Sequence, residues 1–566
     1  MTAAGVAGLP PPAPRMDLER PSLRKRLLGL GSVFGKTVRD SRRLTIGLGV
    51  FYALIVVLIV SQVASEFDTA AKRQVMAQQL AALPPIFQGM LGAPTGIDRL
   101  GGFVSWRALN FIPVVYGIWA IVALAGTLAG ELARGSLDVI ASTPLVRRRL
   151  AAEKVLAFLA SLAATVAMIG VVTFVGINAF ATLPGDSIDA GSVAAHMAWL
   201  FLMILAPGAA AFAAAPFAGR GGGLGVGAFV LFGSFIVSSY ADIVPAFDAV
   251  RNISYFHLTA GFRPLAGTWD WASVAVLAAA CVVLLGIGIE AFARRDMLVP
   301  TGGRVPVPRI RLWVLGPFSR GFGERLPAAV VWGAFLGLFG LILSTSADAF
   351  VASLSKIPQV SHMITQLFPD ADILSVGGFL QLAFFEDGVI IIGLAAAFFV
   401  AGWASDEGEG RLEVVLAAPL GRLAWGLKSA ASVLAALAVT TAVLVLAVVA
   451  GTLAQGEDPV RTAVGVSIVG LYGMALAGIG LAVGGLVRPS LAGPVTLVVG
   501  LGFFLLDLIG TILEWPSWLL DIALNRHLGR PMIGDIDEVG VVLCAAIAVG
   551  GVILAAVGLR RRDIGR

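Results

Sequence analysis

Charge is scarce in this chain. Asp, Glu, Lys and Arg make up only 13% of 566 residues, hydrophobic residues make up 58%, and mean hydropathy is +0.91. A soluble chain of this length has nearer a quarter of its residues charged and cannot bury so much apolar surface, so a cytosolic enzyme and a disordered chain are both excluded. Cysteine is nearly absent. Cys281 and Cys544 each sit in an apolar run, which excludes a secreted disulfide scaffold and reads as two buried thiols. Four scattered histidines supply no metal-ligand spacing, so no metal site is expected. Lysine is rare too: of the 40 basic residues only six are Lys, and with abundant Ala and Gly this points to a GC-rich bacterial genome. The basic residues cluster at the ends of apolar runs rather than in one patch, so nucleic acid is not an expected partner.

What remains is apolar sequence long enough to cross a bilayer many times. A span needs about 20 mostly apolar residues. Twelve such runs are present: Leu44–Ser61, Trp106–Ala129, Val155–Ala181, Val193–Phe217, Gly223–Ser239, Ala272–Phe292, Ala328–Leu343, Phe379–Trp403, Ala430–Leu453, Ala463–Leu486, Leu491–Leu513 and Val539–Leu559. The turn Gly219-Arg220-Gly221-Gly222 alone separates the fourth from the fifth. No cleavable signal peptide is visible, because the first apolar run starts late and Met1–Pro14 is a Pro/Ala-rich tail. With both termini in the cytoplasm, 30 of the 40 Lys and Arg fall inside, as the positive-inside rule requires. The expectation is an all-α, multi-pass protein of the bacterial plasma membrane.

The chain also resembles itself. Gly135-Ser-Leu137-Asp138-Val139 and Pro144-Leu145-Val-Arg147 follow the second run. Gly410-Arg-Leu412-Glu413-Val414 and Pro419-Leu420-Gly-Arg422 follow the eighth, at a constant offset of 275. Gly101-Gly102-Phe103 precedes the second run as Gly377-Gly378-Phe379 precedes the eighth. His257, Leu258, Arg263 and Pro264 precede the sixth, as His527, Leu528, Arg530 and Pro531 precede the twelfth. The expected organisation is therefore a disordered tail (1–21), a first six-span half (22–297), a linker (298–325) and a second half (326–566), two parallel repeats. Parallel duplication places a pathway between the halves and favours a transporter over a membrane enzyme.

Between the second and third runs, and again between the eighth and ninth, lies a short helix-prone segment. Residues at i, i+3 and i+7 share a helix face. That face carries Glu131, Arg134 and Asp138 in one copy and Asp406, Glu409 and Glu413 in the other, with Glu407 beside it. The opposite side is apolar: Leu132, Val139 and Ile140, then Val414, Val415 and Leu416. Pro144 and Pro419 end each segment. A charged loop that merely stays wet is the alternative. A two-faced helix repeated in register suits docking on a cytoplasmic partner.

This pattern, an acidic residue, Arg/Glu-Gly-x-Leu-Asp/Glu-Val, apolar residues and Pro-Leu-x-Arg after the second span, resembles the ATP-binding-cassette (ABC) exporter permeases of the type-2 class. More narrowly, the duplicated chain resembles the actinobacterial tetronasin-type multidrug exporter permeases. The resemblance implies cytosolic coupling helices formed by Glu131, Arg134, Gly135, Asp138, Pro144, Arg147, Asp406, Glu407, Glu409, Gly410, Glu413, Pro419 and Arg422. It implies a short re-entrant or outer element before the sixth span of each half. It also implies two copies of a separate cytosolic ATPase that carries the Mg-ATP, so no cofactor is expected in this chain. The amphipathic stretches Ser22–Arg43 and Arg309–Arg325 correspond to connecting helices at the membrane surface.

The family's pathway runs along the second and fifth spans of each half. Here these hold Phe111, Tyr116, Trp119, Phe229, Phe232, Phe235, Phe385, Phe398, Phe399, Phe503 and Phe504. An aromatic, nearly uncharged lining suits hydrophobic or amphiphilic cargo such as drugs; the same residues facing lipid or neighbouring helices is the alternative. Gly35-Lys36-Thr37 imitates the end of a phosphate loop, but Leu30 stands where its first glycine belongs. Charges inside spans are few, Glu290 and Asp507 among them, which disfavours an ion-coupled secondary transporter. That transporter, and a non-transporting membrane component bound to an ATPase, are the rival readings.

Overall fold

The computed structural model describes residues 32–81, 88, 92–128, 146–241, 245–294, 316–354, 375–408, 412, 420–512 and 515–562. Among them, eleven helices are long and apolar enough to cross a membrane. A twelfth span is the bent pair Leu100–Leu109 and Ile112–Thr127, whose axes differ by 41°. The spans fall where apolar runs dictate. Inside hydrocarbon every backbone N–H and C=O needs an internal partner, and a helix supplies it within one segment.

The first span, Val33–Glu66, has 34 residues, and the seventh, Pro317–Leu354, has 38. At about 1.5 Å per residue both exceed the roughly 30 Å hydrocarbon thickness. In the first span most of the excess lies at the N-terminal end, and in the seventh it lies at both ends. From Val33 and from Pro317, the entry segments therefore continue as the first turns of a span rather than as separate surface helices. The reason is local: no proline or glycine pair breaks the helix between Lys36 and Ile46, and Glu153 of the third span caps its start by accepting from Val33 N at 3.1 Å and Phe34 N at 3.3 Å. The Gly-Lys-Thr sequence is ordinary helix here, with the Thr37 hydroxyl donating to Val33 O at 2.8 Å.

The remaining spans are Arg147–Ala179, Ala190–Gly219, Gly222–Tyr240, Trp271–Arg294, Glu386–Gly408, Arg422–Ala454, Pro459–Leu486, Pro489–Ile512 and Glu538–Arg561. The fourth and fifth are divided at Gly219, where φ 72° and ψ −179° turn the chain through a conformation that a side chain disfavours. Beyond it, Gly223 and Gly227 face Ala211, where an added Cβ would come within 2.8 Å. The glycine-rich stretch thus serves both the turn and close packing.

The same packing order appears in both halves. The first span packs on the third and the seventh on the ninth; the fourth packs near the sixth and the tenth on the twelfth. A similar bond recurs in both halves, with its donors at the offset of 275. Thr165 of the third span donates to Thr45 O at 3.2 Å, and Thr440 of the ninth donates to Ala329 O at 3.1 Å. Buried side chains form one apolar cluster in each half, and the second cluster takes in Ile236 and Tyr240 from the fifth span.

Candidate coupling face, outer turns and aromatic seam

The starts of the third and ninth spans share a face with the ends of the sixth and twelfth. Most of the expected coupling residues, Glu131, Arg134, Gly135, Asp138, Pro144, Glu409, Gly410, Glu413 and Pro419, lie outside the described residues. Their flanks are described. Arg147 opens the third span and Arg422 the ninth, both exposed, while Asp406 and Glu407 lie in the last turn of the eighth. Leu412, between the expected docking residues, is buried in the second apolar cluster.

Ion pairs fasten these flanks to the last span of each half. In the first half, Glu290 accepts from Arg148 and from Arg294, the latter at 2.6 Å. In the second half, Glu407 pairs with Arg562, and Arg422 donates to the Arg562 carbonyl at 3.4 Å. Partial burial pushes the Glu407 carboxyl above its usual range, and the Arg562 guanidinium pulls it back. Asp507, another charge assigned to a span, accepts from Asn525 at 2.8 Å and faces Arg526 at 3.5 Å. Glu290 and Asp507 thus each have local polar partners.

On the opposite face the Arg-Pro motifs form matched turns. Arg263 and Thr268 pair through their backbones, Pro264–Ala266 makes a 3-10 turn, and Gly267 has φ 85°. Arg530 pairs with Asp535, Pro531–Ile533 makes the same turn, and Gly534 has φ 92°. The Gly-Gly-Phe motifs explain themselves against these turns. A Cβ on Gly101 would lie 2.7 Å from Leu265 O, and one on Gly377 would lie 2.6 Å from Met532 O. Each motif opens a short helix, Leu100–Val104 or Val376–Leu380, which passes into a π turn, Ser105–Leu109 or Gln381–Phe385. Gln381 then accepts from Met532 N at 3.1 Å. So in each half the head of the second span is seated on the turn before the sixth.

The first half adds a buried ion pair between Arg73 of the outer helix Ala70–Ala81 and Asp186. Asp186 also accepts from Leu100 N at 3.2 Å, which ties the outer segment to the same span head. Arg263 lies with its guanidinium 4.5 Å from the Trp199 ring, and burial lowers it to about 10.

The aromatic candidates separate into groups. Tyr116 is 1% exposed; its hydroxyl donates to Leu48 O while Tyr52 donates to Ala108 O, each at 2.5 Å. Trp119 packs on Phe158 at 5.2 Å, and Phe111 sits half-buried at the bend of the second span. Phe235 meets Phe256 at 5.6 Å, and Phe229 is 78% exposed. Phe385 and Phe399 are enclosed, while Phe503 and Phe504 are half-buried. Phe232 and Phe398 join a seam between the halves. Phe232 of the fifth span lies 4.6 Å from Phe335 of the seventh, and Trp332 lies 6.1 Å from Phe398 of the eighth. Tyr240 and Phe339 continue the seam at 6.5 Å. Trp332, Phe335 and Phe339 escaped the sequence reading, although their i, i+3, i+7 spacing is a helix stripe legible in the chain.

Comparison with known proteins covers both halves. Residues 32–297 match the family described as ABC-2 family transporter protein. Residues 322–560 match the family described as the C-terminal domain of the multidrug efflux system permease Rv1217c. The multidrug efflux system permease protein Rv1217c of Mycobacterium tuberculosis is 26% identical over 521 residues, 89% of each chain. Residues 32–297 thus carry an ABC-2 family transporter domain, and the similarity to the mycobacterial efflux permease runs through both halves.

Proposed function

We propose that this chain is the membrane subunit of an ATP-driven exporter. It moves hydrophobic or amphiphilic compounds out of the cell across the plasma membrane, with its termini in the cytoplasm. Two copies of a separate cytosolic ATPase power it, docked on the segments around Asp138 and Glu413. The chain itself carries no ATP chemistry. The relative's name, a multidrug efflux system permease, supports the cargo class. The observation that carries the reading is the doubling of one mechanical unit. In each half the flank of the coupling segment is fastened by an ion pair to the last span of that half, and the head of the second span is seated on the turn preceding that last span. Motion imposed at the coupling face therefore has a rigid route to the opposite face, as a power stroke needs. Cargo would pass along the seam of Phe232, Trp332, Phe335 and Phe398, where aromatic faces take apolar rings without a charge partner.

Reconstitution with the partner ATPase in liposomes tests this. Export should require ATP and survive ionophores that collapse ion gradients; gradient-dependent transport without the ATPase would establish the secondary-transporter reading instead. The docking sites are tested by charge reversal. The first copy is mixed in sign and the second acidic, so identical ATPase subunits meet unlike faces. Glu409→Lys with Glu413→Lys should weaken co-purification or uncouple hydrolysis more than Asp138→Lys does, since charge reversal at a desolvated contact costs a few kcal/mol and at a rim little. Full assembly and transport by the double variant would make that face a solvated surface.

A further inference from the structure

A cavity of about 430 Å³ opens between the start of the third span and the end of the sixth. Among the described residues its lining is Val146, Arg147, Arg148, Glu290, Ala293 and Arg294, with the guanidinium groups of Arg148 and Arg294 sharing the Glu290 carboxylate. Glu290 does not exhaust the cations. It engages Arg148 through one terminal nitrogen and Arg294 through Nε, and each guanidinium has five N–H donors. The side chains of Arg148 and Arg294 are 63% and 79% exposed, so the remaining donors stay accessible. The cavity also sits at the N-terminus of a 33-residue helix that has no side-chain cap and no acidic residue in its first turn. Its dipole adds positive potential where the arginines converge. Val146 and Ala293 supply an apolar edge, and the whole lies at one end of two membrane spans.

We propose that this cavity is a phosphate-binding site, filled by the headgroup of an anionic lipid in the adjoining leaflet. Arginine forks match phosphate oxygens in pairs, and basic pockets between spans suit such headgroups. The apolar edge receives the first methylenes of the lipid. Occupancy bridges Arg148 of the third span and Arg294 of the sixth, and so reinforces the ion pairs that already join them through Glu290. The second half lacks the same set, because Leu423 stands at the offset position of Arg148 and Glu407 occupies Arg562. One strong site per chain is therefore expected. The site does not depend on the direction of transport or on the ATPase.

The test titrates the purified full chain with phosphatidylglycerol in detergent and counts bound lipid by native mass spectrometry, with phosphatidylcholine as the neutral probe. Arg148→Gln with Arg294→Gln should weaken phosphatidylglycerol binding at least tenfold. The matched pair Arg560→Gln with Arg561→Gln, exposed arginines at the end of the twelfth span, should change it less than threefold. Equal losses in the two pairs would reduce the effect to overall charge and overturn the site, as would binding that prefers neither lipid. Inorganic phosphate at millimolar concentration distinguishes the sources: failure to displace the lipid supports a lipid headgroup, and displacement with tighter binding of phosphate alone assigns the site to the free anion. If the Gln pair does not fold, Arg148→Lys with Arg294→Lys keeps both charges but loses the forks. It should bind at least threefold more weakly, and unchanged affinity would refute the site.

Discussion

Placing a methyl group on Gly377 should loosen the protein, because that methyl has nowhere to go. A Cβ there would stand 2.6 Å from the Met532 carbonyl oxygen and 3.5 Å from its carbon, both backbone atoms of the outer turn. Unlike the end of a flexible side chain, that carbonyl cannot swing aside. It belongs to a turn pinned by the Arg530–Asp535 pairing and by Gln381 bonding Met532 N. Overpacking of this kind costs about 1–3 kcal/mol. Against it stands the helix preference of Ala over Gly, up to about 1 kcal/mol in a helix interior and smaller in a first turn. The net expectation for Gly377→Ala is a loss of roughly 1–2 kcal/mol. Gly402 is the internal control: it lies in the eighth span with nothing within 4 Å of its would-be Cβ, so Gly402→Ala receives the helix gain without the clash. Thermal unfolding of the purified chain in lipid nanodiscs should place the midpoints in the order Gly402→Ala, wild type, Gly377→Ala. Gly101→Ala, with its Cβ 2.7 Å from Leu265 O, should behave like Gly377→Ala. Efflux should fall with the two seated glycines and stay with Gly402→Ala. A midpoint for Gly377→Ala at or above that of Gly402→Ala would show that the span head does not rest on the turn, and the mechanical route drawn above would fail with it.

Three further outcomes are expected. The chain purified alone should hydrolyse no ATP, since Gly35-Lys36-Thr37 is helical and the Thr37 hydroxyl is committed to Val33 O; hydrolysis lost on Lys36→Ala would overturn this. A cysteine introduced at Ser142 should be labelled only from the cytoplasmic side, and labelling from outside would break the topology and the coupling assignment together. Arg562→Ala should leave Glu407 partly buried without its cation, raising its carboxyl further. A carboxyl raised by folding costs nothing while protonated and costs stability as pH rises through its folded value. The melting deficit of Arg562→Ala should therefore be larger at pH 7.5 than at pH 5, and a pH-independent deficit would locate the ion pair's effect elsewhere.

The spans, their number and their approximate ends were legible in the sequence, because a bilayer leaves the backbone no alternative to helix and an apolar run of sufficient length has one use. The Gly219 turn was legible for a similar reason: a break so short between two apolar runs needs a backbone conformation that glycine takes most easily. The matched motifs around Gly101 and Gly377, and around Pro264 and Pro531, were visible as repeated letters, but the letters do not say what they touch. Only the packed chain brings Gly377 onto Met532, 155 residues away, and shows that the glycine is there for want of space. The same holds for Glu153 capping Val33 and for Glu407 meeting Arg562, since a charge pair across more than a hundred residues leaves no periodicity to read. Among the aromatics, helix spacing could place Phe232, Phe398 and Tyr116 on spans but not toward one another. Contact across the halves put Phe232 on Phe335, and contact within one half enclosed Tyr116 beside Tyr52, because side-chain direction in a bundle is set by which helix lies alongside, and that is decided by tertiary packing alone.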